Sequence, residues 1–382
     1  MVGLIYLYLF LLPLTLSLLF VPFARRLASR FNLLDRPNGR KAHNDSRPLL
    51  GGLAIYLAFI LTLGIQLGGF YLFKDTAFFA NTFPLLVRQA DLLANVLPQM
   101  LAILGGATLM LVLGLLDDCR REGISYKIKF AVQFLAAGLL VLVGIQTTFM
   151  PTHFLNILVT VLWIVGITNA FNLLDNMDGL SAGVALIATL LLIVITGIQS
   201  QFFSAMILCI LAGAVLGFLR YNFHPARIFM GDAGSLFIGF VLASLTITTS
   251  YVVPQSASLL PVLIPVLVLS IPIFDTLSVV LIRLREKRPV FLGDRRHFSH
   301  RLVKVGMTPR GAVIFIYLIA ATIGVAAAFL PYLPVWAQIL ALVQAVLVYL
   351  MIAIIMEVRK NHNEEPTEDT QTFTHKLTWR LQ

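Results

Sequence analysis

The chain has 382 residues, of which 59% are apolar and 12% are charged, and its mean hydropathy is +0.90. Soluble globular chains are about half apolar and a quarter charged, so this composition excludes a set of soluble domains, a disordered chain and a coiled coil. With only two cysteines, a disulfide scaffold is excluded too. The net charge of +10 is typical of the basic cytoplasmic loops of membrane proteins, and nucleic acid is not expected as a partner.

Apolar segments long enough to cross about 30 Å of hydrocarbon recur along the whole chain. They predict an all-α polytopic membrane protein of about eleven transmembrane helices. The predicted spans cover residues 1–24, 49–73, 97–116, 130–147, 153–172, 180–199, 202–219, 234–253, 258–282, 311–331 and 334–356. Residues 1–356 therefore form one transmembrane domain, and the polar segment 357–382 is expected to be a disordered cytoplasmic tail.

The basic residues predict the orientation of these spans. Of the 28 Lys and Arg residues, 26 lie in the tail and in connections on one side of the membrane, and only Lys74 and Arg88 lie on the other. By the positive-inside rule, the N-terminus is expected outside and the C-terminus in the cytoplasm.

Acidic residues cluster at the predicted cytoplasmic ends of the spans. Asp117 and Asp118 end the third span, where adjacent carboxylates repel each other and the helix dipole disfavours them. A divalent cation or a basic partner would resolve this repulsion. A solvated helix end is the alternative interpretation.

The fifth span closes on a polar run from Asn169 to Gly179. Asn169, Asn172, Asp175 and Asp178 recur at steps of three, which makes them neighbours along a helix. Capping and turn chemistry would account for one or two of these side chains but not for four. The run therefore indicates a functional site.

The eighth span opens on Gly231-Asp232-Ala233-Gly234-Ser235. Glycines at a helix N-terminus allow backbone amides to approach a phosphate, and the helix dipole favours an anion there. Asp232 is either an N-cap or, beside the other acidic clusters on this face, a metal ligand.

Two basic loops and one buried acid complete the candidates. The loop at 283–310 carries His297, His300 and Arg301, which suit the recognition of a pyrophosphate. The first loop carries His43 in a basic setting that is equally typical of an ordinary cytoplasmic loop. Asp275 lies inside the ninth span, where an ionisable group is costly and must face protein or water, so a functional and a structural role stay equally open.

Taken together and in this order, these segments resemble the polyprenyl-phosphate N-acetylhexosamine-1-phosphate transferases, or glycosyl transferase family 4, over about residues 36–308. The resemblance is to the branch that uses simple UDP-N-acetylhexosamines. The branch that uses UDP-MurNAc-pentapeptide usually has Thr-Pro-Thr-Met-Gly-Gly where this chain has 47–52. The matching segments are Pro48 to Gly52, Leu116 to Asp118, Lys127 to Phe130, Asn169 to Gly179, Gly231 to Ser235, Pro272 to Thr276 and the His297 loop.

The resemblance implies a helical bundle of about ten or eleven spans with a cytoplasmic cleft. It also implies transfer of a sugar 1-phosphate, most simply N-acetylglucosamine 1-phosphate, from a UDP-sugar to undecaprenyl phosphate with release of UMP. The implied cofactor is Mg²⁺, with Mn²⁺ as the alternative. A bacterial cytoplasmic membrane and a homodimer are further implications, and the step would initiate a cell-envelope polysaccharide.

The resemblance also implies roles for individual residues. Asp232 and Asn172 match the metal-binding positions, and Asp117 and Asp118 match the acidic pair assigned to activation of the lipid phosphate. Positions tied to the nucleotide or to phosphates match Lys129, Asp175 and Asp178, and the histidine motif matches His297 and His300. Related transferases usually carry His-x-His-His, and Ser299 departs from that pattern.

Three alternatives stay open at this point. The same chemistry could act on another UDP-sugar or on UDP-MurNAc-pentapeptide. A transporter or flippase would instead place its polar groups near the middle of the bilayer, whereas only Asp275 lies deep in a span here. A catalytically silent scaffold would not need the complete set of acidic residues.

Overall fold

The computed structural model describes residues 2–35, 47–120, 123–287, 289 and 296–364, and these are helical over most of their length. The α-helices are α1 (Val2–Arg30), α2 (Gly51–Phe73), α3 (Ala77–Thr82), α4 (Pro84–Arg88), α5 (Ala90–Asp118), α6 (Tyr126–Leu142), α7 (His153–Leu174), α8 (Leu180–Ile198), α9 (Phe202–Asn222), α10 (Gly231–Thr248), α11 (Ile264–Val268), α12 (Ser270–Arg285), α13 (Phe298–Lys304), α14 (Pro309–Phe329) and α15 (Val335–Glu364). Two short 3₁₀ segments, Leu260–Leu263 and Leu330–Tyr332, precede α11 and follow α14.

A two-stranded antiparallel ribbon leads into α2. Its strands are β1 (Leu34–Asp35) and β2 (Arg47–Pro48), and Leu34 lies opposite Pro48. The ribbon fixes the start of α2, whose first two amides donate to the carbonyls of Phe229 and Met230. The N-terminus of α2 therefore lies against the segment that leads into α10.

Each predicted span overlaps a helix, which makes the chain a multi-pass membrane protein. Nine helices in the described part of the chain are long and apolar enough to cross a membrane, and the bent pair formed by Leu260–Val268 and Ser270–Arg285 would be a tenth. The remaining predicted span, at 130–147, corresponds to α6. With 17 residues, α6 is about 25 Å long and shorter than the usual hydrocarbon core.

The ninth predicted span, expected as one helix over 258–282, is broken. Its two parts, of which the second is α12, meet at an angle of 73° beside Leu269. Pro272 has no amide hydrogen and cannot bond to the carbonyl of Val268, so the helical ladder is interrupted where the chain bends. The break starts α12 five residues before Asp275.

The end of α6 also differs from the prediction. The helix stops at Leu142 because Gly144 takes a left-handed conformation with φ 84°. The amide of Gly144 donates to the carbonyl of Val141, and the amide of Ile145 donates to that of Leu140. This pair of bonds is the Schellman motif that commonly ends helices at glycine.

The centre of the bundle is α10, the most buried of the nine helices that could span the membrane. It packs against α5, α7 and α2. Two glycines bring its neighbours close, since a side chain at Gly52 or Gly114 would collide with the backbone of α10 at Ala233 or Gly234. The first turn of α10 is thereby enclosed by the start of α2 and the end of α5.

Candidate active site

Three helix ends meet around Lys129, which lies in the first turn of α6. Its Nζ lies 2.9 Å from Oδ2 of Asp117, in the last turn of α5, and 2.6 Å from Oδ2 of Asp232, in the first turn of α10. We call Asp117, Asp118, Asp232 and Lys129 the carboxylate cluster. The ammonium offsets the repulsion between two carboxylates, one of which lies at an unfavourable C-terminal helix end.

The second acid of the adjacent pair has different partners. Asp118 accepts hydrogen bonds from the amides of Asp232 (2.9 Å) and Ala233 (3.1 Å), one with each carboxylate oxygen. It thus caps the N-terminus of α10 from another helix. Gly231, with φ 71°, leaves the space for this approach, because a β-carbon there would collide with the Asp118 carboxylate.

The expectation that amides at the start of α10 bind a phosphate stays a prediction. The amides of Asp232 and Ala233 are already bonded to a carboxylate of the chain itself. In the structure, Gly231 allows Asp118 to pack against α10, and its contact with substrate stays a prediction.

The two predicted metal-binding residues are brought together. The Asn172 side chain, in the last turn of α7, interacts with the Asp232 carboxylate, and its Nδ2 donates to Oγ of Ser235 at 3.0 Å. Carboxylate and amide oxygens suit Mg²⁺, which is usually held by one or two carboxylates together with substrate phosphates and water. Within the described ranges, no group of three or more His, Cys, Asp or Glu residues has metal-binding geometry.

The charges of the carboxylate cluster also fit a cation. The cluster holds three carboxylates and one ammonium, and the Lys129 Nζ contacts two of the carboxylates. The excess of negative charge at a helix C-terminus would be reduced by a divalent ion. The residues present therefore fit a magnesium site built on Asp232 and Asn172.

Asn169 lies one turn before Asn172, but its side chain is fully engaged. Its Nδ2 donates to Oε1 of Gln133 (2.6 Å) and to the carbonyl of Val165 (2.7 Å), while its Oδ1 accepts from Nε2 of Gln133 at 3.3 Å. Gln133 is buried on α6, one turn after Lys129. This amide pair joins α6 to α7 and supports the cluster, a contact that the sequence analysis missed.

Asp175 follows the end of α7 and is partly buried. Burial, followed by the carboxylates of Asp232, Asp118 and Asp178, raises the pKa of Asp175 to about 8. A raised pKa favours the protonated form of this side chain, which can donate a hydrogen bond.

Asp178, by contrast, holds the connection between α9 and α10. Its Oδ2 lies 2.9 Å from Nδ1 of His224 and accepts from the amide of Ala226 at 3.0 Å. Next to it, buried Asn222 accepts from the amide of Gly179 and donates to the carbonyl of Ile228. Neither His224 nor Asn222 was a candidate, since neither stands in a recognisable motif.

The histidine loop is anchored at two points. His297 is buried and its Nδ1 lies 2.8 Å from Oδ2 of Asp275. Ser299, at the position where the sequence departs from the histidine pattern, donates from Oγ to Oδ1 of Asn176 at 2.6 Å. The loop thus reaches the turn that carries Asp175. His300 and Arg301 are partly exposed in the same short helix, α13, and His43 lies outside the described residues.

Comparison with known proteins identifies the class to which this site belongs. The glycosyl transferase family 4 profile matches residues 100–250, which contain the carboxylate cluster and the Asn169 to Gly179 run. A probable undecaprenyl-phosphate N-acetylglucosaminyl 1-phosphate transferase of Bacillus subtilis strain 168 is 34% identical over 367 residues, covering 93% of this chain and 92% of the relative.

Two further relatives agree with this match. A decaprenyl-phosphate N-acetylglucosaminephosphotransferase of Mycobacterium tuberculosis H37Rv is 33% identical over 77% of this chain and 74% of its own. An undecaprenyl-phosphate alpha-N-acetylglucosaminyl 1-phosphate transferase of Escherichia coli K12 is 27% identical over 87% of this chain and 86% of its own. The chain belongs to glycosyl transferase family 4.

Proposed function

We propose that the protein transfers N-acetylglucosamine 1-phosphate from UDP-N-acetylglucosamine to undecaprenyl phosphate. The products are undecaprenyl-pyrophosphate-N-acetylglucosamine and UMP. The observation that carries the proposal is the carboxylate cluster, in which three helix ends place Asp117, Lys129 and Asp232 within ion-pair distance. The names of the relatives in Bacillus and Escherichia support the same sugar and the same lipid carrier.

The reaction joins two anions, so charge neutralisation and positioning dominate its chemistry. An oxygen of the lipid phosphate attacks the sugar-bound phosphorus of the donor, a new phosphorus–oxygen bond forms, and the bond to UMP breaks. Asp232 and Asn172 would hold Mg²⁺, which supplies positive charge to the phosphate oxygens. In this proposal Lys129 exchanges a carboxylate contact for a contact with a phosphate.

Asp117 is the proposed base for the lipid phosphate. Its carboxylate accepts from the amide of Ile124 and contacts Lys129, which fixes its orientation at the end of α5. A two-step route through a phosphorylated aspartate is the alternative. Radioactive phosphate retained on the protein from labelled donor, without lipid, would contradict direct attack.

The site's place at helix ends suits its two substrates. The connections 123–125, 175–179 and 223–230 lie at one end of the bundle, as the contacts of Asp117, Asp178 and Asp232 indicate. We propose that this end faces the cytoplasm of a bacterium, by the positive-inside rule. The UDP-sugar would then arrive from water while the prenyl chain stays in the bilayer of the cytoplasmic membrane.

The test uses purified protein, magnesium and undecaprenyl phosphate with a panel of UDP-sugars that includes UDP-MurNAc-pentapeptide. Released UMP is measured, with reactions lacking lipid as the control. UMP from UDP-N-acetylglucosamine alone is the expected result. Release with another donor only would overturn the proposed sugar, and folded protein that releases no UMP with any donor would favour transport or a silent scaffold.

A further inference from the structure

Asp275 is buried inside the second part of a broken span, with 1% of its surface exposed. A charged side chain inside a membrane span is costly unless it faces protein or water. Such residues persist where they have partners or a function. The proposed transfer chemistry, as described above, assigns nothing to Asp275.

Both oxygens of its carboxylate are used by the histidine loop. Oδ2 lies 2.8 Å from Nδ1 of His297, and Oδ1 accepts the amide of Phe298 at 2.6 Å. Phe298 begins α13, and its N-cap residue, His297, makes no side-chain cap bond of its own. Asp275, on α12, therefore caps α13 and contacts the His297 imidazole with the same carboxylate.

We propose that Asp275 is a positioning residue that holds His297 in one orientation and keeps a proton on its Nδ1. A carboxylate bonded to one ring nitrogen fixes the tautomer and makes the other nitrogen the one that exchanges protons or bonds a ligand. Nε2 of His297 has no hydrogen-bond partner among the described residues. This inference rests on the proposed function and on the expectation from the sequence that His297 serves a pyrophosphate.

A second contact makes this orientation relevant to the site. Ser299 bonds to Asn176, which is next to Asp175 in the turn after α7. The loop is therefore held from α12 on one side and from the candidate site on the other. A substitution of Asp275 would therefore change the orientation of the His297 ring without removing the hydrogen bond between Ser299 and Asn176.

The test compares Asp275→Asn with Thr276→Val. An amide can still accept the Phe298 amide with its oxygen, but its NH₂ group then faces the ring and donates to Nδ1. The tautomer of His297 should therefore invert. Thr276 is the matched control, because it is the next residue of α12 and its buried hydroxyl has no hydrogen-bond partner in the part of the chain that the structure describes.

Nitrogen NMR of ¹⁵N-histidine-labelled protein reports the tautomer, and His297→Gln assigns the signal by its loss. At about pH 8.5, above the ordinary histidine pKa, Nδ1 of the wild type should carry a proton. An unprotonated Nδ1 in the wild type would overturn the proposal. This measurement needs no turnover, so it stands even if no UDP-sugar yields UMP and the proposed function fails.

Kinetics provide the second readout. Asp275→Asn should lower kcat about 10²-fold with KM for UDP-N-acetylglucosamine nearly unchanged, whereas Thr276→Val should keep wild-type kcat. Adding Asp275→Asn to His297→Gln should cause no further loss, because the ring through which Asp275 acts is already gone. Losses that multiply in the double variant would overturn the positioning role.

Discussion

The carboxylate cluster and the Asp275–His297 pair both place acids among membrane helices, but they differ in exposure. In the cluster, the side chains of Asp117, Lys129 and Asp232 are 15%, 19% and 27% exposed. In the pair, Asp275 and His297 are 1% and 6% exposed. The cluster is therefore open to ligands, whereas the pair is closed around its own contacts.

The carboxylate cluster and the Asp275–His297 pair also differ in charge. The cluster has more carboxylates than cations and lies at helix ends, so a ligand ion or substrate changes its energy directly. Asp275 instead uses both oxygens on His297 and the amide of Phe298. Substitutions of Asp117, Lys129 and Asp232 should act on binding and chemistry, and substitutions in the pair should act on geometry.

The largest effect should come from removing the proposed metal. EDTA is expected to stop UMP release, and added Mg²⁺ should restore it, because the excess negative charge of the cluster must be offset before two phosphates can approach. Thermal unfolding in detergent should change little, since the helix contacts do not need the ion. Turnover that continues in EDTA would show that Lys129 alone neutralises the cluster.

Asp232→Asn should reduce kcat by about 10³-fold or more, because it removes the charge that faces both Lys129 and the proposed metal. UMP release measures this loss, and gel filtration checks that the protein stays folded. Asp75→Asn makes the same chemical change in an exposed loop after the far end of α2 and should leave the rate unchanged. Equal rates in both variants would contradict a role for Asp232 at the metal.

Substitutions of the adjacent acids Asp117 and Asp118 should differ in how much they lower the stability of the fold. Asp118→Asn places an NH₂ group against an amide of α10 and should lower the free energy of unfolding by about 2 kcal/mol, along with activity. Asp117→Asn should lower activity with a much smaller change in Tm, because its main partner is the partly exposed Lys129. Equal Tm losses in both variants would contradict the capping role of Asp118.

The smallest effects on activity should come from substitutions of Ser299 and His300 in α13. Ser299→Ala removes one hydrogen bond to Asn176 and should lower kcat/KM about fivefold. His300→Ala should lower it more, because an imidazole near a pyrophosphate contributes a donor that alanine lacks. Wild-type rates for both variants would contradict a role for α13 at the active site.

Sequence reasoning succeeded where the signal is local. Each of the eleven predicted spans overlaps a helix or the bent pair, since apolar runs of this length are defined by neighbouring residues. The prediction of one continuous helix over 258–282 was wrong, because the bend in this span depends on a single residue, Pro272. The number of true crossings and their orientation stay predictions.

The candidate site was predicted in part. Asp117, Asp232 and Asn172 were expected on one face and do meet. The partners of Asp118, Asn169 and Asp178 were not foreseen, because a carboxylate or an amide in a polar run has the same local pattern whether it binds a ligand or a neighbouring helix. Only the partner distinguishes these roles.

The sequence by itself was enough to locate the apolar helices, the connections that are rich in Lys and Arg, and the acidic residues at the ends of the predicted spans. Hydropathy, charge and residue order are properties of the chain and need no folding to be read. The tertiary structure decided that Lys129 bridges two acids, one of them 103 residues away along the chain. It also decided that Asp275 holds a histidine from another helix, because hydrogen bonds act over about 3 Å and only packing brings such distant residues that close.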